Sequence, residues 1–572
     1  MRTTRQIRNH RKDYAPFSEE ARAKHEQENM LVWINRLPTE VLSRIFVIGE
    51  DMDQDKDNSK ESQDNDGPVL QFQELVAQVC RKWRAVAISI PMLWTYISIS
   101  GSKSFNSASV FLERSGETIP LEIEIDLSEH SDTGSWSEES DDQKPEVKLI
   151  QDTLDFLVSK RAKPSRWARL AIWFEKPKSL FTIIDFLIDA SLDNLRKLSL
   201  VNIYIDRMMV EDYVVEAMRE RDLTNSALFR NPPPLLQELE LVGTPSNFFF
   251  PHENASLVSD LTYLDLGFLL SLPPFMGLHS LLTHNPRLES LCLDTGMIET
   301  TDFEPETIAE IRVRMPFLRR FSLQEPISVG WGLSVLQMID APNLEAFALN
   351  LDQSQTLPDP IPLYIAYGKE IGNVEDQPEA PSPRRPIYPA LKHLALGPFT
   401  GTSASLLAML ESLGTITRLD WELQEEEPIS INRALGDSKI CPRLEHIRVH
   451  GVHETDLVDL VESRIRSGIP FKVVEVNSRD WPDIPASTKA RFSDELQLER
   501  FGPYVDENES DSDTSTGDSD STSDLEDWTD TDLSNGDDYE DGGAGNNSND
   551  NPQTLYDEGV FTDDGSDSSL DY

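Results

Sequence analysis

Metal chemistry is the first possibility that the side chains raise, because a thiol and three imidazoles fall within the stretch "CPRLEHIRVHGVH". It begins at Cys441 and contains His446, His450 and His453, and cysteine and histidine are the usual ligands of structural zinc. Alternation of polar and apolar residues from His446 to His450 instead favours a β-strand with both histidines on one exposed face. At ~3.3 Å per residue these two lie about 13 Å apart along the strand, too far to share one ion. We therefore interpret the stretch as an exposed strand face and expect no metal site.

Catalytic motifs are missing from the sequence. It contains neither the phosphate-binding G-x-x-x-x-G-K-[ST] nor a G-x-G-x-x-G after a strand, and neither H-E-x-x-H nor G-x-S-x-G. We therefore expect a protein that is not an enzyme and that uses no cofactor.

The charge is strongly acidic and unevenly distributed. Lys and Arg total 52 against 101 Asp and Glu, a formal charge of −49, and 23 of the acidic residues lie in 501–572, where neither Lys nor Arg occurs. Binding to nucleic acid requires Lys and Arg to neutralise phosphates, so we expect no nucleic-acid partner. Dense blocks of like charge predict disorder for 501–572 and solvated insertions elsewhere.

Cysteine usage and hydropathy indicate the compartment. The three cysteines are scattered and form no disulfide framework, which suits a reducing environment. No apolar run of about 20 residues is present to cross a membrane. These features predict a cytoplasmic or nuclear protein, or one found in both places, with no membrane partner.

Two apolar stretches near the N-terminus have helical spacing. In "LPTEVLSRIF" the apolar residues recur every three or four positions from Leu37, and "LVAQVCRKWRAVAIS", from Leu75, does the same until Pro91. We predict a helix in each stretch, the second uninterrupted up to the proline. Neither helix is long enough to be stable alone, so we predict that they form one small domain interrupted by an acidic surface loop.

These stretches resemble the fungal-type F-box, whose pattern runs L-P-x-E-[IVL]-L-x-x-I-F, a variable loop, V-C-[RK]-x-W and P-x-L-W. The resemblance covers about 60 residues and implies docking onto a Skp-type adaptor and its cullin complex. The docking residues that it implies are Leu37, Pro38, Val41, Leu42, Ile45, Phe46, Val79, Cys80 and Trp83. For Trp83 a role in the core is an equal alternative, because its amphipathic ring suits both positions.

A six-residue pattern then repeats eleven times, from "WARLAI" at Trp167 to "FKVVEV" at Phe471. Most intervals are 25 to 30 residues, which is the period and strand motif of leucine-rich repeats. The alternative, a series of helix pairs, does not explain the period of two in each match. An earlier strand is predicted at 121–127. The fold class is therefore α/β: an N-terminal helical F-box, an irregular leucine-rich-repeat-like solenoid and a disordered acidic C-terminal tail.

The predicted organisation has four parts. Residues 1–30 form a flexible or helical segment, and 31–100 form the F-box with an acidic insertion at 50–67. The solenoid covers 101–500 and carries an acidic loop and a proline-rich insertion, and the tail follows it. Their bounds are 128–146 for the loop, 351–388 for the insertion and 501–572 for the tail.

The concave face of such a solenoid is the predicted target-binding surface. The outward strand positions become cationic and rich in imidazole toward the C-terminal end, so we expect an acidic or phosphorylated target protein. Arg464 and Arg466 are expected on the opposite, helix-bearing side. We therefore predict that the protein is a substrate-recognition adaptor of a Skp–cullin–F-box ubiquitin ligase. The alternative is a binding scaffold that acts outside ubiquitin transfer. The candidate target-binding residues are Tyr263, Arg320, His393, Arg418, His446, Arg448 and His450.

Overall fold

A computed structural model describes much of the chain, in segments. The predicted tail after Gly502, most of the acidic loop at 128–146, and residues 58–67 of the acidic insertion lie outside the described residues. Those described are 19–57, 71–101, 104–127, 144–203, 228–248, 250, 258–269, 271–298, 311–325, 329–350, 360–368, 385–397, 403–422, 434–451, 453–478, 480–481 and 484–502.

Four helices begin the described chain: α1 (Glu19–Leu31), α2 (Thr39–Asp57), α3 (Phe72–Val79) and α4 (Arg81–Ile88). The single helix predicted up to Pro91 is wrong, because the backbone becomes extended at Cys80, with φ −157° and ψ 171°. The Trp83 amide donates a hydrogen bond to the Cys80 Sγ at 3.5 Å, so the cysteine caps α4.

The acidic insertion also differs from its prediction at its start. Residues 50–57 continue α2 rather than forming a loop. Tertiary packing extends the helix past Phe46, since the Phe72 ring lies against Gly49 so closely that a Cβ there would be 2.3 Å from Phe72 Cζ. The next residue, Glu50, is buried.

Sixteen strands follow within the described residues. They are β1 (Tyr96–Ile99), β2 (Leu121–Asp126), β3 (Trp167–Phe174), β4 (Lys197–Asn202), β5 (Glu238–Pro245), β6 (Tyr263–Leu269), β7 (Ser290–Met297), β8 (Val313–Arg314), β9 (Arg320–Gln324), β10 (Ile339–Asp340), β11 (Ala346–Asn350), β12 (His393–Leu396), β13 (Arg418–Glu422), β14 (His446–His450), β15 (Val473–Asn477) and β16 (Gln497–Phe501).

Fourteen of these strands form one sheet in which spatial order equals chain order, and every neighbouring pair is parallel. Strands β8 and β10 pair separately, also in parallel. Parallel neighbours require crossover connections, and helices occupy many of them. These are α5 (Phe105–Ser115), α6 (Lys144–Ser159), α7 (Pro177–Ile188), α8 (Phe275–His284), α9 (Val329–Met338), α10 (Pro360–Tyr367), α11 (Ser403–Ser412), α12 (Glu454–Arg466) and α13 (Ala486–Glu495).

The α/β class and the parallel sheet are confirmed, and each of the eleven repeated patterns lies on a strand. Strands β1, β8, β10 and β16 were not predicted. β1 lies inside the range assigned to the helical domain, and β16 ends at Phe501, where the tail was expected to begin. Helix α6 begins inside the predicted acidic loop, and the buried helix α10 occupies part of the predicted proline-rich insertion.

The core lies on one side of the sheet, where aligned apolar side chains from successive strands are buried. Leu264, Leu291 and Phe321 occupy matching positions on three neighbours and are at most 1% exposed. Paired amides fix the register at the strand starts: for example, the amides of Thr262 and Tyr263 both donate to the Gln237 carbonyl, at 2.8 and 3.2 Å. Among the described residues, no helix has both the length and the apolar content needed to span a bilayer.

Candidate functional site

Helix α2 carries apolar side chains on two different faces. Leu42 and Phe46 are fully buried against the core. A second stripe, turned about 110° from them around the helix axis, exposes 40 to 60% of its surface and follows the helical spacing i, i+4, i+7, i+11. A surface helix normally carries polar residues there. The exposed stripe consists of Val41, Ile45, Ile48 and Met52.

The exposed stripe lies in a chain segment that is rich in exposed apolar side chains. Of the nineteen large apolar side chains exposed among the described residues, twelve lie between 30 and 92, so exposure is concentrated in this helical segment. A concentration of exposed apolar side chains is a feature of interaction sites in soluble proteins. We call these twelve the N-terminal apolar surface: Met30, Leu31, Val32, Trp33, Val41, Ile45, Ile48, Met52, Leu75, Val79, Ile88 and Met92.

The predicted adaptor-binding residues divide by burial. Pro38, Val41, Ile45 and Val79 are exposed, and Leu37, Cys80 and Trp83 are partly so. Leu42 and Phe46 are both 0% exposed and hold α2 on the core, so their predicted contact with an adaptor stays a prediction.

Trp83 has a structural role. Its ring lies against that of Phe46, with centroids 5.0 Å apart, and its Nε1 donates to Asn35 Oδ1 at 2.7 Å. Next to it, the Lys82 ammonium donates to the carbonyls of Asn35 and Leu37, at 2.6 and 3.0 Å. Together these contacts tie α4 to the chain that enters α2 and so position the exposed stripe.

The other candidate region is the side of the sheet opposite the core, which we call the polar face. Its side chains align in rows because the strands are in register. One row runs through Tyr263, Ser290, Arg320, Ala346, His393, Arg418 and His446.

The structure brings the C-terminal candidates together but leaves two others apart. Four strand steps separate Tyr263 from His393, and the Tyr263 hydroxyl donates to Asp265 at 3.2 Å. Burial, followed by the charge of Asp265, raises the pKa of Tyr263. Arg320 is exposed two strands before His393. We therefore separate Tyr263 and Arg320 from the cluster on β12 to β15.

Two carboxylates, Asp420 and Glu475, connect this cluster. His393 Nε2 lies 3.1 Å from Asp420 Oδ2, and Arg418 Nε donates to Asp420 Oδ1 at 2.8 Å. On the next strands, His446 Nε2 and Arg448 Nε each lie 2.5 Å from a Glu475 oxygen.

Burial and charge explain how firmly these groups are held. The Asp420 and Glu475 side chains are only 17% and 9% exposed. Burial alone would raise the pKa of Asp420, but the hydrogen bonds and charges of His393 and Arg418 outweigh it and lower the pKa to about 2. The same partnership raises the pKa of Arg418 despite burial. The predicted cationic face is therefore real, but carboxylates beneath it compensate its charge.

His450 stands at the margin of the cluster. Its Nδ1 is 3.0 Å from Asn477 Nδ2, and its ring meets that of Phe501 edge-on at 4.6 Å. The Arg448 guanidinium lies over the same ring at 4.4 Å. Phe501 on β16 therefore orients both side chains.

Metal binding finds no geometric support among the described residues, where no group of three or more His, Cys, Asp or Glu side chains is placed to hold an ion. In the stretch that begins at Cys441, His446 and His450 have the partners given above. Cys441 is buried, and its Sγ donates to the Leu410 carbonyl at 3.4 Å.

Arg464 lies on helix α12, as expected of the helix-bearing side, but its side chain is buried. It is 0% exposed, and its guanidinium donates to main-chain carbonyls that include Leu444 at 2.8 Å and Leu435 at 3.0 Å. Burial lowers the pKa of Arg464 to about 10. Arg466 is exposed, as expected.

Sequence reasoning placed Asp420 on the outward strand face but missed its link to His393 and Arg418, and it missed Glu475 altogether. Asp420 occupies an outward strand position, as a period of two predicts, but nothing local signals that it joins His393 to Arg418. Glu475 lies 27 residues from Arg448, and only the parallel pairing of β14 with β15 places the two opposite each other.

Two comparisons with known proteins found no relative of this chain. A scan against protein-family models returned no match, and a search of curated proteins also returned none.

Proposed function

We propose that the protein is a non-catalytic substrate-recognition adaptor of a Skp–cullin–F-box ubiquitin ligase. The N-terminal helices dock a Skp-type adaptor as an F-box does, and the repeats form a leucine-rich-repeat-like solenoid whose polar face binds a target protein. Binding the target beside the ligase raises the effective concentration of the ubiquitin donor.

The observation that carries this proposal is the second apolar face of α2. One face already packs on the core, so the exposed stripe requires another partner. Because only 40 to 60% of each side chain is exposed, burying one of them in an interface contributes about 1 kcal/mol. The stripe lies within the segment that resembles the F-box, and Val41 and Ile45 fall on docking positions that the resemblance implies.

Capture of the adaptor by full-length protein tests the proposal. We expect the Val41→Asp/Ile45→Asp variant to lose binding to a purified Skp-type adaptor, because the new charges lie on the docking face. A Val110→Asp/Ile465→Asp variant is the matched control, since both side chains are exposed but lie outside the N-terminal apolar surface. It should bind like the natural protein.

Two results would contradict the proposal: no binding of the adaptor by the natural protein, or unchanged binding by the Val41→Asp/Ile45→Asp variant with its melting transition intact. Adaptor binding without recruitment of a cullin would instead favour the scaffold function.

A further inference from the structure

We propose that the cationic cluster of the polar face, formed by His393, Arg418, His446 and Arg448, binds a segment rich in aspartate and glutamate on the target protein. This inference deepens the proposed function and rests on it in one respect, namely that the ligand is a protein.

The cluster presents its donors outward and covers its carboxylates. The side chains of Arg418 and Arg448 are 29% and 33% exposed, whereas those of Asp420 and Glu475 are 17% and 9% exposed. An approaching ligand therefore meets the guanidinium groups first, because the Nε2 atoms of His393 and His446 are buried against the carboxylates. The carboxylates beneath fix the arginine orientations, so less side-chain entropy is lost on binding.

The arginines keep donors available for a ligand. Arg448 donates through Nε to Glu475, and no described residue accepts a hydrogen bond from either of its terminal nitrogens. Arg418 engages Asp420 through Nε and one terminal nitrogen, at 2.8 and 3.3 Å. A planar guanidinium edge matches a carboxylate through two parallel hydrogen bonds.

Charge balance favours carboxylates over phosphate as the ligand. The charges of Arg418 and Arg448 are balanced by those of Asp420 and Glu475, so a dianionic phosphate would be repelled by these two carboxylates. A carboxylate carries one negative charge instead of two, so its repulsion by Asp420 and Glu475 is weaker while it still pairs with a guanidinium. Adjacent strands are about 4.8 Å apart, so carboxylates on nearby residues of one peptide can reach Arg418 and Arg448.

Neighbouring strands leave room for the peptide and restrict where its acidic part lies. The middle row of the polar face continues from Asp420 through Ala395, Ala348 and Ser322, whose small side chains permit close approach of a backbone. Farther along, on β5 and β6, Glu240 and Asp265 repel acidic residues. The acidic part of the target is therefore confined to the cluster.

Fluorescence anisotropy with full-length protein and a labelled peptide of alternating Asp and Gly tests the inference. We expect Arg418→Gln and Arg448→Gln each to weaken binding about tenfold or more, because a centrally placed arginine dominates such contacts. Arg448→Lys keeps the positive charge but loses the planar pair of N–H donors, so we expect it to bind the peptide as weakly as Arg448→Gln does. Arg466→Gln, on α12, should change affinity less than about twofold, as an exposed substitution usually does.

Four results would overturn the inference. They are equal affinity for a peptide with Asn in place of Asp, tighter binding of a phosphoserine peptide than of the Asp peptide, equal losses in the Arg466→Gln control, and full affinity in Arg448→Lys. Melting curves verify folding, and Arg448→Lys serves where a glutamine variant unfolds.

The experiments distinguish failure of the ligase proposal from failure of the peptide-binding proposal. Val41→Asp/Ile45→Asp should retain peptide binding, and Arg448→Gln should retain adaptor capture. Loss of adaptor capture by the natural protein with peptide binding preserved would refute the ligase function alone.

Discussion

At the scale of single residues, the adjacent side chains Val41 and Leu42 have different roles. Leu42 is 0% exposed and Val41 is 43% exposed. We expect Leu42→Ala to lower the free energy of unfolding by about 3 kcal/mol, because truncation of a buried leucine leaves a cavity. Val41→Ala should lower it by less than about 0.5 kcal/mol while weakening adaptor binding. Urea denaturation measures both changes, and equal losses of stability would show that the two faces of α2 are assigned wrongly.

Arg464 and Arg466 offer a second contrast at this scale. Arg464 satisfies main-chain carbonyls of the irregular segment before β14, including those of Leu435 and Leu444. We expect Arg464→Met to cost about 3 kcal/mol, because it leaves those buried acceptors without a donor. Arg466→Met, on the exposed side of the same helix, is the control and should change stability by less than about 0.5 kcal/mol. Similar unfolding midpoints for the two variants would contradict this role.

At the scale of elements, Gly243 permits a bulge in β5. The pairing of β5 with β6 shifts register between Val242 and Thr244, and Gly243 between them has φ +68°. A Cβ at this position would also lie 2.6 Å from Asn202 Cβ on the neighbouring strand. The glycine therefore serves both the backbone conformation and the close approach of β4.

We expect Gly243→Ala to destabilise the protein by about 2 kcal/mol, since it combines left-handed strain with overlap. Gly414→Ala is the control, because a Cβ at Gly414 meets no atom within 4 Å, and it should be neutral or stabilising. Thermal unfolding distinguishes them, and a neutral Gly243→Ala would show that β5 tolerates a side chain at the bulge.

At the scale of the whole molecule, charge links stability to pH through the network on β12 to β15. The pKa of Asp420 falls from 3.8 to about 2 on folding. Its contribution to stability is therefore complete above pH 4 and is lost as pH falls from about 4 to 2, because the unfolded state then binds the proton first. This contribution to the free energy of unfolding is about 2 kcal/mol, a value that takes account of the partial exposure of Asp420 to solvent.

Asp420→Asn tests this contribution. We expect the variant to be less stable than the natural protein by about 2 kcal/mol at pH 6, with the gap closing as pH falls below 4. Denaturation at a series of pH values measures the difference directly. A gap that stays constant down to the lowest accessible pH would mean that the carboxylate charge does not stabilise the network.

The local pattern of the sequence was sufficient for most strands and for the first half of helix α2. The apolar spacing in units such as "LTYLDL" and "LESLCL" placed strands β6 and β7 because alternation is a property of a few adjacent residues. The pattern was insufficient where strands are short or polar. The four residues "YISI" of β1 and the exposed "QLERF" of β16 carry too little periodicity, and their pairing with β2 and β15 makes them strands.

By itself, the sequence determined the α/β class, the position of most strands in the parallel sheet and the outward placement of His446 and Arg448. All of these follow from residues close together in the chain. Only the tertiary structure decided that Arg464 is buried, that α2 continues through the acidic residues to Asp57, and that Asp420 and Glu475 neutralise the cationic cluster. Those outcomes depend on neighbours that packing supplies from distant parts of the chain, so no local pattern can contain them.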